Sequence, residues 1–146
     1  MRTRPLGRSG LKVSEVALGS WLTLGTRVDV SSTTRLVRRA HDLGINLFDT
    51  ADVYQDGEGE RALGTAIRDL PRSAVVLATK CFFAMSDTPS DRGLSRKHIV
   101  ESVEGSLRRL GTDYLDLHQC HRFAPETPLE ETVRTSGDVV RQGKVL

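Results

Sequence analysis

The sequence predicts a parallel α/β fold of the barrel kind, made of a short N-terminal hairpin and about four βα units. Three observations carry this. Short apolar segments that read as strands alternate with segments of helical period, in the order β, α, β, α, β, α, β, α. A strand such as "AVVLATK" (74–80) is apolar on both faces, which suits a parallel sheet covered by helices. A doubly wound dinucleotide-binding sheet shares this rhythm, but it usually shows G-x-G-x-x-G after its first strand. Here that strand ends in Gly19-Ser20-Trp21, and the one close glycine cluster, "GEGERALG" (57–64), has another spacing and follows the second strand. The barrel is therefore favoured over the open sheet.

Each element has its own signal. "PLGRSGLKVSEVALGSW" (5–21) places a turn, "GRSG", between short β-type runs, predicting a hairpin and then a strand near Val16–Leu18. "SSTTRLVRRAHDLG" offers Ser31 or Ser32 as helix N-cap, an apolar face of Leu36, Val37, Ala40 and Leu43, and Gly44 as the stop. The strand "INLFDT" follows. "GERALGTAIRDLP" puts Ala62, Leu63, Ala66, Ile67 and Leu70 on one side of a helix that Pro71 ends. After "AVVLATK" comes a long polar loop from Phe82 to Leu94, then a helix with Ile99, Val103, Leu107 and Leu110 in register and Gly111 as its stop. "DYLDLHQC" reads as a strand and "PLEETVRTSGDVVRQG" as a helix. A full barrel takes about 250 residues and eight strands. The 146 residues supply about half of one, and Lys144-Val145-Leu146 stands where a fifth strand should begin.

Composition narrows the function classes. With 38% hydrophobic and 27% charged residues the chain reads as one globular domain, 1–146, without a linker or a low-complexity segment. A formal charge of +2, with basic residues scattered among acids, gives no nucleic-acid footprint. No apolar run approaches the roughly 20 residues of a membrane span, and the basic start "MRTRPLGRSGLKV" lacks the apolar core of a signal peptide. Cys81 and Cys120 alone make no disulfide framework, so a reducing cytoplasm is the default expectation.

In either architecture chemistry gathers at the carboxyl ends of the parallel strands. Reading those ends in order gives Gly19-Ser20-Trp21, then Asp49 and Tyr54, then Lys80, then His121. The set suits carbonyl reduction. A phenol near pKa 10 donates a proton poorly at neutral pH unless a cation lies beside it. Lys80 is placed to be that cation, Asp49 to keep it charged, and His121 to hydrogen-bond a carbonyl oxygen. None of these side chains delivers hydride, so a nicotinamide cofactor is required. Each residue also has a plain structural reading, an ion pair for Asp49 and Lys80 and packing for Tyr54, His121 and Trp21, and spacing alone leaves both readings open. His118, Cys120 and His121 suggest metal ligands, but strand alternation sends His121 to the opposite face, so no metal site is expected and Cys120 reads as a small core residue.

The segments "RPLGRSGLKVSEVALGSWLTLG", "GINLFDTADVY", "ATK", "GLSRKHIVESVEGSLRRLGTDYLDLHQCHR" and "TPLEETVR" resemble the N-terminal part of the aldo-keto reductases, within them the group related to voltage-gated potassium channel β subunits. The resemblance implies a (β/α)₈ TIM-barrel type fold with the hairpin closing its bottom. It further implies NADPH/NADP+ as cofactor and aldehydes or ketones as small-molecule carbonyl substrates. It makes Tyr54 the proton donor, with Asp49, Lys80 and His121 as partners, and it puts Ser20, Trp21, Arg27 and Asp49 at the cofactor. A cofactor-binding regulatory or docking subunit is the alternative it suggests, although some channel-associated relatives lack the histidine that this chain keeps at His121. Two departures lie in one loop: Gln55 and Gly59 stand where many relatives carry a glycine and a serine. The larger departure is the C-terminal half, which in the family holds most of the cradle for the cofactor's phosphates and adenine. Without it the chain is expected to be a fragment or truncated product, weak in cofactor binding, and inclined to self-associate through its open sheet edge as a homo-oligomer.

Overall fold

The computed structural model of the protein describes residues 1–146. Strands β1 (Thr3–Pro5) and β2 (Lys12–Ser14) form the antiparallel hairpin that "GRSG" predicts. The chain then alternates: β3 (Leu18–Gly19), α1 (Val30–Asp42), β4 (Leu47–Asp49), α2 (Glu58–Ile67), β5 (Val76–Cys81), α3 (Arg96–Leu110), β6 (Leu117–Cys120) and α4 (Leu129–Arg141). The four later strands are parallel and lie in sequence order, β3-β4-β5-β6. Each helix returns the chain for the next parallel strand, the repeat of half a barrel.

Sheet and helices meet in a core where Phe48, Leu77 and Leu115 pack against Val37, Leu63 and Val103. The outward faces of β4 and β5 are therefore apolar because helices cover them. Helices α2 and α3 come so close that a Cβ on Gly64 would lie 2.5 Å from the Leu110 carbonyl oxygen. Glycine is required there by backbone approach rather than by its torsion angles. Helix α3 starts on Ser95, whose hydroxyl oxygen accepts the His98 N–H, and stops at Gly111 in the left-handed conformation.

Several local expectations are corrected. The N-cap of α1 is Asp29, not Ser31 or Ser32; its carboxylate accepts the Ser32 N–H, and both serine hydroxyls donate to it. A charged acceptor at the positive helix end outcompetes a hydroxyl, and those bonds hold Asp29 well below the usual carboxylate range. The buried face of α1 is Thr33, Val37 and Ala40, with Leu36 and Leu43 about half exposed on its flank. Thr33 is buried because its hydroxyl donates to the Val28 carbonyl. The first parallel strand is Leu18–Gly19, and Val16 is exposed ahead of it. Cys120 is exposed rather than part of the core, because β6 is the last full strand of the sheet.

Before β6 regular pairing gives way to side chains. Asp116 accepts the Leu77 N–H at 2.9 Å and the Arg72 guanidinium at 2.6 Å, while Arg72 stacks on Tyr114. Leu115 forms a parallel bridge with Val145, so the chain enters a fifth strand position where the sequence predicts one. No helix is long and apolar enough to cross a membrane.

Candidate active site

Strand register brings the predicted residues together. Gly19 lies opposite Asp49, and Asp49 opposite Ala78. Side chains alternate along a strand, so Lys80 shares a face with Asp49. Backbone pairing continues past the strand ends: Ser20 N–H donates to Asp49 O, Thr50 N–H to Ala78 O, Asp52 N–H to Lys80 O, and His121 N–H to Cys81 O. The loops that carry the polar residues thus begin as extensions of the sheet, which places them more accurately than free loops would.

Lys80 is the hub. Its ammonium donates to Asp49 Oδ1 at 2.7 Å, to the Thr50 carbonyl at 2.7 Å and toward the Tyr54 hydroxyl at 3.4 Å. The lysine side chain is only 14% exposed, and the Asp49 carboxylate is the opposite charge paired with it. His121 meets Tyr54 edge-on with ring centroids 5.8 Å apart, and Phe83 meets His121 in the same way at 5.0 Å. Burial, then the Lys80 and Arg122 cations, push the imidazole below its ordinary value against the pull of Asp49, so it is neutral at pH 7. A neutral imidazole keeps one N–H to donate.

A cleft of about 540 Å³ opens over this cluster, lined by Trp21, Tyr54, Gln55, Phe83, His121 and Arg122 among others. Trp21 is 62% exposed and stacks on Tyr54, with centroids 6.2 Å apart and planes inclined by 29°. Ser20 sits at the same strand end, but its hydroxyl is buried and donates to Thr50. Arg27 is exposed and has neither a hydrogen bond nor an ion pair from its side chain. His118 does not join the cluster. It is on the other face of β6 from His121, and burial followed by the nearby His98 lowers its pKa to about 4. No three histidine, cysteine or acidic side chains converge as metal ligands.

Three residues of the region have no role in the sequence reading. Phe83 arrives from the polar loop, where nothing in the sequence marks it. Gln55 takes a φ of 51°, in the left-handed region that favours glycine, and its Oε1 is buried without a partner. A Cβ on Gly59 would come within 3.2 Å of that oxygen. Tyr54 limits the same space, with its Cβ at 3.2 Å and its carbonyl oxygen at 3.3 Å from that position, so the turn is closely packed around Gly59. The third residue is Asp52, fully buried, accepting the Val53 N–H and the Ser102 hydroxyl at 2.7 Å each. A strand-end acid next to Asp49 looks like its companion in sequence, yet it faces the helices.

Burial is the main reason that the Asp52 carboxyl is raised to about 6, with Glu60 adding to the effect and Ser102 opposing it. A group whose folded pKa is raised contributes full stability below its unfolded value and loses that contribution as pH climbs through the folded one. Asp52→Asn should accordingly match the parent near pH 3, below the unfolded value, and exceed it at pH 8 by about 3 kcal/mol, from about 1.4 kcal/mol per pKa unit. Urea unfolding of both proteins at the two pH values measures this, and an equal difference at both would refute it.

Residues 15–146 match the model of the Aldo/keto reductase family, and the chain belongs to that family. A probable voltage-gated potassium channel subunit beta from Oryza sativa subsp. japonica is 48% identical over 145 residues, 98% of this chain and 44% of the relative. Its counterpart in Arabidopsis thaliana is 46% identical with the same coverage, and a putative one in Schizosaccharomyces pombe is 48% identical. A thermostable aldo-keto reductase crystallised with the inhibitor epalrestat superposes with a TM-score of 0.84 at 34% identity, over 99% of this chain and 52% of that one. The chain spans less than half the length of these curated relatives.

Proposed function

We propose that this chain carries the proton-transfer half of an NADPH-dependent reductase of aldehydes and ketones. One observation carries the reading: Lys80 Nζ lies 2.7 Å from the Asp49 carboxylate and 3.4 Å from the hydroxyl of Tyr54, which lines the cleft. Tyr54 donates its proton to the carbonyl oxygen as negative charge develops there, and the phenolate left behind is stabilised by the adjacent ammonium. Asp49 holds that ammonium in place through its ion pair. His121, neutral beside the phenol, offers an N–H to the same oxygen and so orients the substrate. Bound NADPH would supply the hydride. The residues present suit its ring end: Trp21 offers an exposed indole face beside Tyr54, Asp49 and Ser20 stand at the neighbouring strand ends, and Arg27 is an unpaired cation for a phosphate.

The second reading, a cofactor-binding regulatory subunit, has as its one support the names of the relatives at 46–48% identity, which are potassium channel beta subunits. Mixing the protein with NADPH and 4-nitrobenzaldehyde separates the two. Loss of NADPH absorbance supports the reductase, and cofactor binding without turnover supports the regulatory subunit.

A further inference from the structure

We propose that Asp52 is a positioning residue for Tyr54: its buried carboxylate ties the tyrosine-bearing turn to helix α3 and so sets the phenol beside Lys80. This rests on the reading of Tyr54 as proton donor.

The carboxylate works in two directions. One oxygen accepts the Val53 N–H inside the turn, and the other accepts the hydroxyl of Ser102, fifty residues away on α3. The Asp52 N–H in turn donates to the Lys80 carbonyl at 3.1 Å. A single side chain with its own amide therefore joins the turn of Tyr54, the strand of Lys80 and the helix behind the sheet. The turn needs such a hold. Immediately after Tyr54, Gln55 and Asp56 both occupy left-handed backbone, with φ of 51° and 53°, a conformation that relaxes unless its surroundings impose it. Mere filling of space would favour an apolar side chain at 52, because burying a carboxylate costs stability. Here both oxygens are engaged, and each bond ends on an element that the phenol's position depends on.

Trp21, the only tryptophan, makes that position readable without cofactor or substrate, because its ring is stacked on Tyr54. Tyr54→Leu defines how much of the near-ultraviolet circular dichroism comes from the stacked pair. Asp52→Ala and Ser102→Ala are expected to lose at least half of that share while keeping the far-ultraviolet spectrum. Asp52→Asn should keep nearly all of it, since an amide accepts the Val53 N–H and donates to Ser102 Oγ. Full retention of the signal in folded Asp52→Ala or Ser102→Ala overturns the proposal, as does a loss in Asp52→Asn equal to that in Asp52→Ala. If Asp52→Ala does not fold, Ser102→Ala, which deletes a single hydroxyl, decides. The outcome is independent of turnover: were Tyr54→Phe to reduce aldehydes normally, the proton-donor reading would fail while the spectra still reported on the tether.

Discussion

Tyr54→Phe is expected to slow carbonyl reduction by about 10²- to 10⁴-fold, the range that a positioned general acid contributes, and to leave NADPH affinity nearly unchanged. The substitution removes one oxygen from a ring whose packing it preserves. The stack on Trp21 and the edge contact with His121 both involve the ring, not the hydroxyl. The phenol proton is what disappears, and the remaining groups do not replace it. Lys80 already directs its protons at Asp49, the Thr50 carbonyl and the phenol oxygen. His121 is neutral at pH 7 and gives up its only N–H proton at great cost. The measurement is NADPH absorbance loss with 4-nitrobenzaldehyde, in a form of the protein that turns over, beside a fluorescence titration of cofactor binding. Undiminished turnover would remove Tyr54 from the chemistry.

The second large effect concerns stability. Arg109→Met should destabilise the fold by about 3–5 kcal/mol, the cost of leaving a buried charge without its partner. Glu60 has no exposed side-chain surface; Arg109 Nε donates to it at 2.6 Å and the Thr79 hydroxyl at 2.6 Å. The arginine reaches it through a passage with little spare room. A Cβ on Gly57 would lie 2.6 Å from Arg109 Cδ, and one on Gly105 2.9 Å from a guanidinium nitrogen. The apolar replacement fits that passage but strands the carboxylate. Glu60→Gln in the same background should recover a large part of the loss, because a neutral amide tolerates burial and still bonds Thr79. Urea unfolding of the single and double variants provides the test. A double variant no more stable than Arg109→Met would show that packing, and not the stranded charge, sets the cost. Against total domain stabilities of roughly 5–15 kcal/mol the single loss is large, so the urea midpoint of Arg109→Met is expected to fall well below that of the parent.

Much of this architecture is legible without coordinates. Helical period marks α2, α3 and α4, and the apolar run before Lys80 marks β5, because covered parallel strands and amphipathic helices leave patterns within a short window. The polar strand ends are legible for the same reason: an acid, a tyrosine and a lysine that close apolar strands stand out against their neighbours. Less legible are positions where one local signal competes with another. Ser31 and Ser32 are sound caps by type, but Asp29, two residues earlier, binds both of them. Cys120 carries a core residue's chemistry on a strand that has a full neighbour on one side only.

What the sequence determines by itself is the order of the elements and the set of side chains offered at the strand ends. Both follow from period and polarity along the chain. Which of two neighbouring acids meets Lys80 and which turns back to Ser102 is decided only in three dimensions. Asp49 continues the alternation of β4, whereas Asp52 lies beyond the strand, in a turn whose direction is set by the helices packed behind it. Alternation is a local rule and is written in the sequence. The direction of a turn depends on residues fifty places away and on the space between two helices, which no short window contains.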